Sequence, residues 1–103
     1  MPAFSGNTST SALSTAYTSP ATIKSFSLVN KSGGAVIANV SIIYGSTNIH
    51  IIPYNTSIAA GESYETDIDR VLLPSRQIYV LVNGDTDYYF SIQDEGKDVS
   101  PKY

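Results

Sequence analysis

Residues 77–93 read QIYVLVNGDTDYYFSIQ, two apolar runs on either side of Asn83-Gly84-Asp85. Successive side chains of a strand point to opposite faces, so Ile78, Val80 and Val82 share one face and Tyr79 and Leu81 the other, while Tyr88, Phe90 and Ile92 share a face of the returning run. Asn-Gly between two such runs is a strong hairpin signal, because the turn it favours needs positive φ at both central residues. The segment therefore predicts two strands, Gln77 to Asn83 and Thr86 to Gln93, the first covered on both faces.

The same pattern continues outward. Val71, Leu72 and Leu73 form a short apolar cluster ended by Pro74-Ser75, and before it Tyr64, Thr66 and Ile68 alternate with Glu65, Asp67 and Asp69, a strand with one wet face that follows the corner Gly61-Glu62. Thr47 to Pro53 reads as a strand with Ile49 and Ile51 on one face and His50 and Ile52 on the other, its end set by Pro53. Ala35 to Tyr44 alternates with Val36, Ala38, Val40, Ile42 and Tyr44 inward, between a Gly45-Ser46 turn and Lys31-Ser32-Gly33-Gly34, whose glycine pair supplies hairpin geometry. Thr22 to Asn30 is the first run. Short runs separated by turn residues every ten or so positions are the mark of a sandwich or barrel, and no stretch holds a helical period. The expectation is an all-β protein, a small β-sandwich, immunoglobulin-like or jelly-roll-like, of six to eight strands spanning residues 21–94.

Residues 1–20 are rich in Ser and Thr, with Phe4, Leu13 and Tyr17 as large apolar anchors before Pro20, and read as an extended arm that either frays or docks along the domain or a neighbour. Residues 95–103 read as a polar tail. With 103 residues and 42% apolar residues the chain can close one core, and without cysteine it does so by packing or assembly. A net charge of -3, with six scattered basic residues, argues against nucleic acid as a partner. No apolar run approaches the roughly 20 residues that span a bilayer, and no export signal is visible, so a soluble protein without membrane contact is expected.

The sequence holds no constellation that chemistry requires. The single histidine, His50, lies within an apolar run and reads as a solvated strand residue; a zinc site would have to rest on carboxylates alone. Glu65, Asp67 and Asp69 fall on one exposed face, and Asp85-Thr86-Asp87 follows a turn without the spacing of a calcium loop, so no catalytic, cofactor or metal residue is assigned and no enzyme is expected. The sequons at Asn7, Asn30, Asn39 and Asn55 arise readily in a chain so rich in Ser, Thr and Asn. Eight tyrosines and no tryptophan suit either strands or a contact surface. Tyr44, Tyr64 and Tyr88 fall on core faces, whereas Tyr54, Tyr79, Tyr89 and Tyr103 are expected outside; Phe4, Leu13, Tyr17, Tyr54, Tyr79 and Tyr89 are the candidate partner contacts.

From Tyr17 to Ile92 the layout resembles small virion proteins of tailed bacteriophages. The resemblance is carried by TAYTSPATIKSFSLVN, AVIANVSIIY, the corner Ala60-Gly61-Glu62-Ser63-Tyr64, the turn with Leu72-Leu73-Pro74, and IYVLVNGDTDYYFSI. It departs where similar proteins place a Gly before the penultimate strand, since Ser75-Arg76 stands there. The resemblance implies a non-enzymatic structural protein of the phage particle, made in the host bacterial cytoplasm. It would decorate or stabilise the capsid by contacts with the major capsid protein, neighbouring head or neck subunits, or further copies of itself. A neck or tail component is the near alternative, and a carbohydrate- or surface-binding module the alternative of another class, which would need an aromatic platform beside Asp or Asn.

Overall fold

The computed structural model describes residues 3–17 and 20–94. Nine strands are found among them: β1 (Ala3–Thr8), β2 (Ser11–Leu13), β3 (Ala21–Asn30), β4 (Val36–Tyr44), β5 (Thr47–His50), β6 (Thr56–Ile58), β7 (Ser63–Leu72), β8 (Gln77–Val82) and β9 (Thr86–Asp94). They form two antiparallel sheets, in the order β1-β9-β3-β7 and β2-β8-β4-β5, with β6 also beside β4. The fold is an all-β sandwich. Its strand count exceeds the six to eight expected because the arm supplies β1 and β2 and the chain before Gly61 supplies β6.

One geometric rule generates this order. The numbers of partnered residues add to between 91 and 94 from the chain ends to the middle: Ala3 faces Ser91, Ser11 faces Leu81, Ala21 faces Leu72, Val36 faces Ile58 and Tyr44 faces Thr47. The chain is thus one long antiparallel ribbon with its apex at Gly45-Ser46, rolled up and stitched to itself where β3 meets β9 and β4 meets β8. A rolled ribbon divided between two packed layers, here of four and five strands, is the jelly roll, so of the two architectures left open by the sequence the topology selects that one.

Rolling the ribbon changes the role of the turns. Lys31 to Gly34 and Asn83 to Asp85 do not close hairpins, because β3 and β4, like β8 and β9, lie in different sheets. Both segments are arches from one sheet to the other, and neither Gly33, Gly34 nor Gly84 has positive φ. The arches pack side by side: Lys31 N–H donates to the Asp85 carbonyl at 2.8 Å, and Ile37 N–H to Asn83 Oδ1 at 2.8 Å. Asn30 fastens them. It is fully buried, its amide donates to the carbonyls of Gly34 and Ile58 at 2.8 Å each, and its Oδ1 accepts from Ser32 N–H at 2.8 Å and Ser32 Oγ at 2.7 Å. The sequon there is closed to a glycan.

The tight turn of the ribbon is elsewhere, at Gly45, whose φ of 62° is the left-handed geometry that glycine takes without strain. Ser75, the residue standing where glycine was missed in the sequence, has φ 72°.

The core lies between the sheets. Ile78, Val80 and Val82 of β8 and Val36, Ala38, Val40 and Ile42 of β4 face Ile23, Phe26, Leu28, Leu72, Phe90 and Ile92. Ile23 and Phe26 both point inward although three apart, which a bulge between Ile23 and Ser25 permits by placing Lys24 outside. All three phenylalanines of the chain stand on one rung, Phe4 beside Phe90 beside Phe26, with ring centroids 5.6 and 4.8 Å apart.

Two assignments are corrected. Tyr44, placed in the core by alternation, is 51% exposed, because it ends β4 beyond the layer it would have joined. The strand from Thr47 stops at His50 and not at Pro53: Ile49 is exposed and Ile52 buried, since the chain bends at Ile51-Ile52 and turns Ile52 into the core.

Candidate functional site

Two surface features stand out, one on the outer face of the sheet containing β8 and one on the flank between β5 and β7. The pairing register builds the first. Leu13 of β2, Tyr79 of β8, Ser41 of β4 and His50 of β5 are mutual cross-strand partners and lie in one row on the outer face, with Ser11, Leu81 and Asn39 in the next row and Gln77, Ile43 and Asn48 in the row beyond. Within these rows lies a cleft of about 190 Å³ lined by Asn39, Ser41, Asn48, His50, Tyr54, Tyr79 and Leu81. No charged side chain lines it. The opposite face of the sandwich is different, with Glu65, Asp67 and Tyr89 bordering a shallow depression beside Ser25 and Ser27.

Tyr54 forms a wall of the cleft because the segment that carries it is pinned on both sides. Ile52 is buried, and Asn55 is clamped to Asn39: Asn55 N–H donates to Asn39 Oδ1 at 2.8 Å, and Asn39 Nδ2 donates to Asn55 Oδ1 at 2.9 Å. The clamp holds Asn55 at φ 58°, a left-handed conformation that Asn adopts more readily than most residues. Between these anchors Tyr54 is 71% exposed, its ring edge-on to His50 with centroids 5.1 Å apart. At the floor sits Ser41, 1% exposed, whose hydroxyl has no hydrogen-bond partner among the described residues.

The second feature is apolar. Ile49, Val71 and Leu73, 54%, 60% and 50% exposed, line a groove with Ile42, Arg70 and Arg76. The Arg76 guanidinium lies over the Tyr44 ring at 3.8 Å from its centroid, while its Nη1 donates to the Pro74 carbonyl at 2.8 Å, so an aromatic and a cation are held together at the groove's end.

No protein-family model matches the chain, and no curated protein matches it.

The residues singled out from sequence are dispersed. Phe4 packs on Tyr88 and Phe90 inside the sandwich edge, its centroid 4.8 Å from that of Tyr88. Tyr17 packs against the core, its backbone paired with Ser75 and Arg76, and burial pushes its phenol pKa up. Leu13 is exposed on the outer face in register with Tyr79, Tyr54 and Tyr79 meet in the cleft, and Tyr89 is exposed on the opposite, acidic face. Tyr103 lies outside the described residues, as does the 95–103 tail.

Asp85 and Asp87, weighed above as cation ligands, share one donor instead: Asn7 Nδ2 donates to Asp85 Oδ1 at 2.7 Å and to Asp87 Oδ1 at 2.8 Å, tying β1 down. No grouping of three or more His, Asp or Glu suited to a metal is found among the described residues.

Sequence reasoning missed Ser41, Asn39 and Asn48, and it took His50 for a residue without company. A signal for the first two was present, because polar residues at positions 39 and 41 of an apolar strand mark one face as something other than core. Tyr54 was expected outside, but nothing local foretold its neighbours in the cleft, which come from β4, β5 and β8.

Proposed function

We propose that the chain is a non-catalytic structural protein of a tailed-bacteriophage virion, one that decorates or stabilises the capsid by repeated contacts with neighbouring subunits. The observation that carries this reading is the flank groove. Exposed aliphatic residues grouped beside an aromatic and two arginines have the composition of a protein contact, in which aromatics and Arg are enriched and acidic side chains depleted. The groove takes in none of the acidic residues of the neighbouring strand, and it adjoins β7 and β5, the outermost strands of their sheets.

A small sandwich presenting one such contact can occupy many equivalent sites on a shell, and where copies associate with one another the weak contacts of the linked copies are multiplied by valency. In this reading the protein is synthesised in the host cytoplasm and functions in the particle. The capsid contact lies on the flank, while residues 3–13 of the arm are spent on the chain's own sheets.

The test is binding of the full chain to undecorated phage capsids, followed by copy number at saturation. A copy number matched to capsid symmetry is expected, with loss of binding in Val71→Lys/Leu73→Lys while circular dichroism stays unchanged. Binding that resides only in tail or neck fractions would move the protein to those structures. Absence of binding to any virion fraction, or binding indifferent to the two lysines, would overturn the proposal.

A further inference from the structure

The cleft on the opposite side of β4 from the core has the makings of a ligand site, and it goes beyond an assembly role. We propose that it binds a neutral pyranose unit of a glycan, stacked against Tyr54 and hydrogen-bonded at the floor by Ser41.

Four observations lead there. The first is the exposed aromatic on a fixed mount. A tyrosine 71% exposed, between buried Ile52 and an Asn55 held by two hydrogen bonds, presents its ring to solvent from a backbone pinned on both sides. The two hydrogen bonds fix the backbone that carries the ring. A pyranose ring offers a face of C–H bonds that lies flat on such a plate, and its rim of hydroxyls needs donors and acceptors nearby.

The second observation supplies one. Ser41 is 99% buried, yet its hydroxyl finds no partner among the described residues and lines the cleft. No buried side-chain nitrogen or oxygen lacks a partner among the described residues, so this unpaired hydroxyl opens to the cleft, where water or an entering ligand reaches it. Hydroxyl groups both donate and accept, as do those of a sugar.

The third is the company at the rim. Asn48, His50 and the Tyr79 hydroxyl likewise have no hydrogen-bond partner among the described residues, so amide, imidazole and phenol face the same space. Asn39 is excluded from direct contact, since its amide is committed to Asn55; it positions the loop.

The fourth is charge. With no Lys, Arg, Asp or Glu in the lining, an anionic sugar or a phosphate would enter without a counter-charge and lose its hydration for nothing in return. The ligand class is thus a neutral hexose, whether on a bacterial surface polysaccharide or on a glycan of another source. The cleft's volume of about 190 Å³ restricts it to a single ring at a time.

The full chain, isotopically labelled, is to be titrated by NMR with the methyl glycosides of glucose, galactose and mannose, and with N-acetylneuraminic acid as the anionic comparator. Saturable shifts confined to the amides of Ser41, Asn48, His50, Tyr54 and Tyr79 are expected for at least one neutral glycoside and not for the anion. Tyr54→Ala, an exposed position, should leave the rest of the spectrum intact and weaken that binding tenfold or more, and Ser41→Ala should weaken it several-fold. Absence of saturable shifts with all three neutral glycosides, or equal affinity in Tyr54→Ala, would overturn the proposal. So would loss of capsid binding in Tyr54→Ala when no glycoside binds, because the cleft would then be a protein contact. Failure of the flank variants to affect capsid binding bears on the assembly role alone, so the two readings fall separately.

Discussion

Replacing Asn30 by Ala tests whether the two arches are held by one side chain. Asn30 makes four hydrogen bonds, and they differ in what their loss costs. The Ile58 carbonyl lies where water cannot replace the donor, and orphaning it costs roughly 1–3 kcal/mol; the bonds to Ser32 and Gly34 are half-open to solvent and contribute about 0.5 kcal/mol each, since their partners can turn to water. The expected loss is about 3 kcal/mol. In a domain of this size that lowers the melting temperature by roughly 12–24 °C, and in urea it moves the midpoint at unchanged slope. Asn30→Asp should be no milder, because it sets a carboxylate against two carbonyl oxygens. Asn83→Ala, which removes one exposed bond to Ile37, should cost under about 1 kcal/mol and serves as the comparator. If Asn30→Ala falls within about 1 kcal/mol of the wild type, or no lower than Asn83→Ala, the arches are secured by other contacts and the reasoning fails.

Glycine substitutions separate arches from turns. A Cβ on Gly84 would meet Val36 Cγ2, on a buried side chain, at 2.7 Å, so Gly84→Ala should lose roughly 1–3 kcal/mol, whereas Gly34, with open space around it and no positive φ, should accept Ala within about 0.5 kcal/mol; thermal melts decide. Gly45→Ala should cost about 1 kcal/mol from its φ alone, while Ser75→Gly, which relieves the same kind of strain, should be neutral to stabilising by up to about 1 kcal/mol. Asn7→Ala removes the donor shared by Asp85 and Asp87, and hydrogen exchange should speed up in β1 while the amides of β4 and β8 keep their protection. The Tyr17 phenol, its pKa raised by burial, stays protonated in the folded protein at a pH where the unfolded chain ionises. Its contribution is intact below the ordinary tyrosine value of 10.0 and is lost as pH rises from there through the folded pKa, so denaturant melts between pH 9 and about pH 11 should show a smaller loss in Tyr17→Phe than in wild type.

Alternation located most of the strands because it is a local property. Val36 to Ile42, Ile78 to Val82 and Phe90 to Ile92 face the core as the period of two requires. Partnership was not local. Asn83-Gly84-Asp85 has hairpin chemistry, yet its strands belong to different sheets, because β8 and β9 each gain more by pairing with β2 and β1 on one side and with β4 and β3 on the other than with each other. Whether the arm frays or docks was left open for a related reason. Its polar strand β1 is written to lie at an edge, where only Phe4 and Thr8 turn inward, so it carries almost no periodic signal. In the candidate site the aromatics were legible as surface residues, but their meeting was not. Tyr54 and Tyr79 stand far apart in sequence and are joined by the register of β4, β5 and β8.

A rolled ribbon also has an order of assembly. The pairing of Tyr44 with Thr47 closes only a two-residue turn, and each later rung, out to Ala3 and Ser91, adds to one already formed, so most of the entropy of bringing distant residues together is met in small steps. Such a chain should fold faster than the sequence separation of its outer strands suggests. In that order β1 would dock at the last step. Changes at Phe4 or Asn7 should therefore steepen the rate of unfolding and leave the rate of folding nearly untouched, whereas changes at the Gly45 apex should slow folding itself.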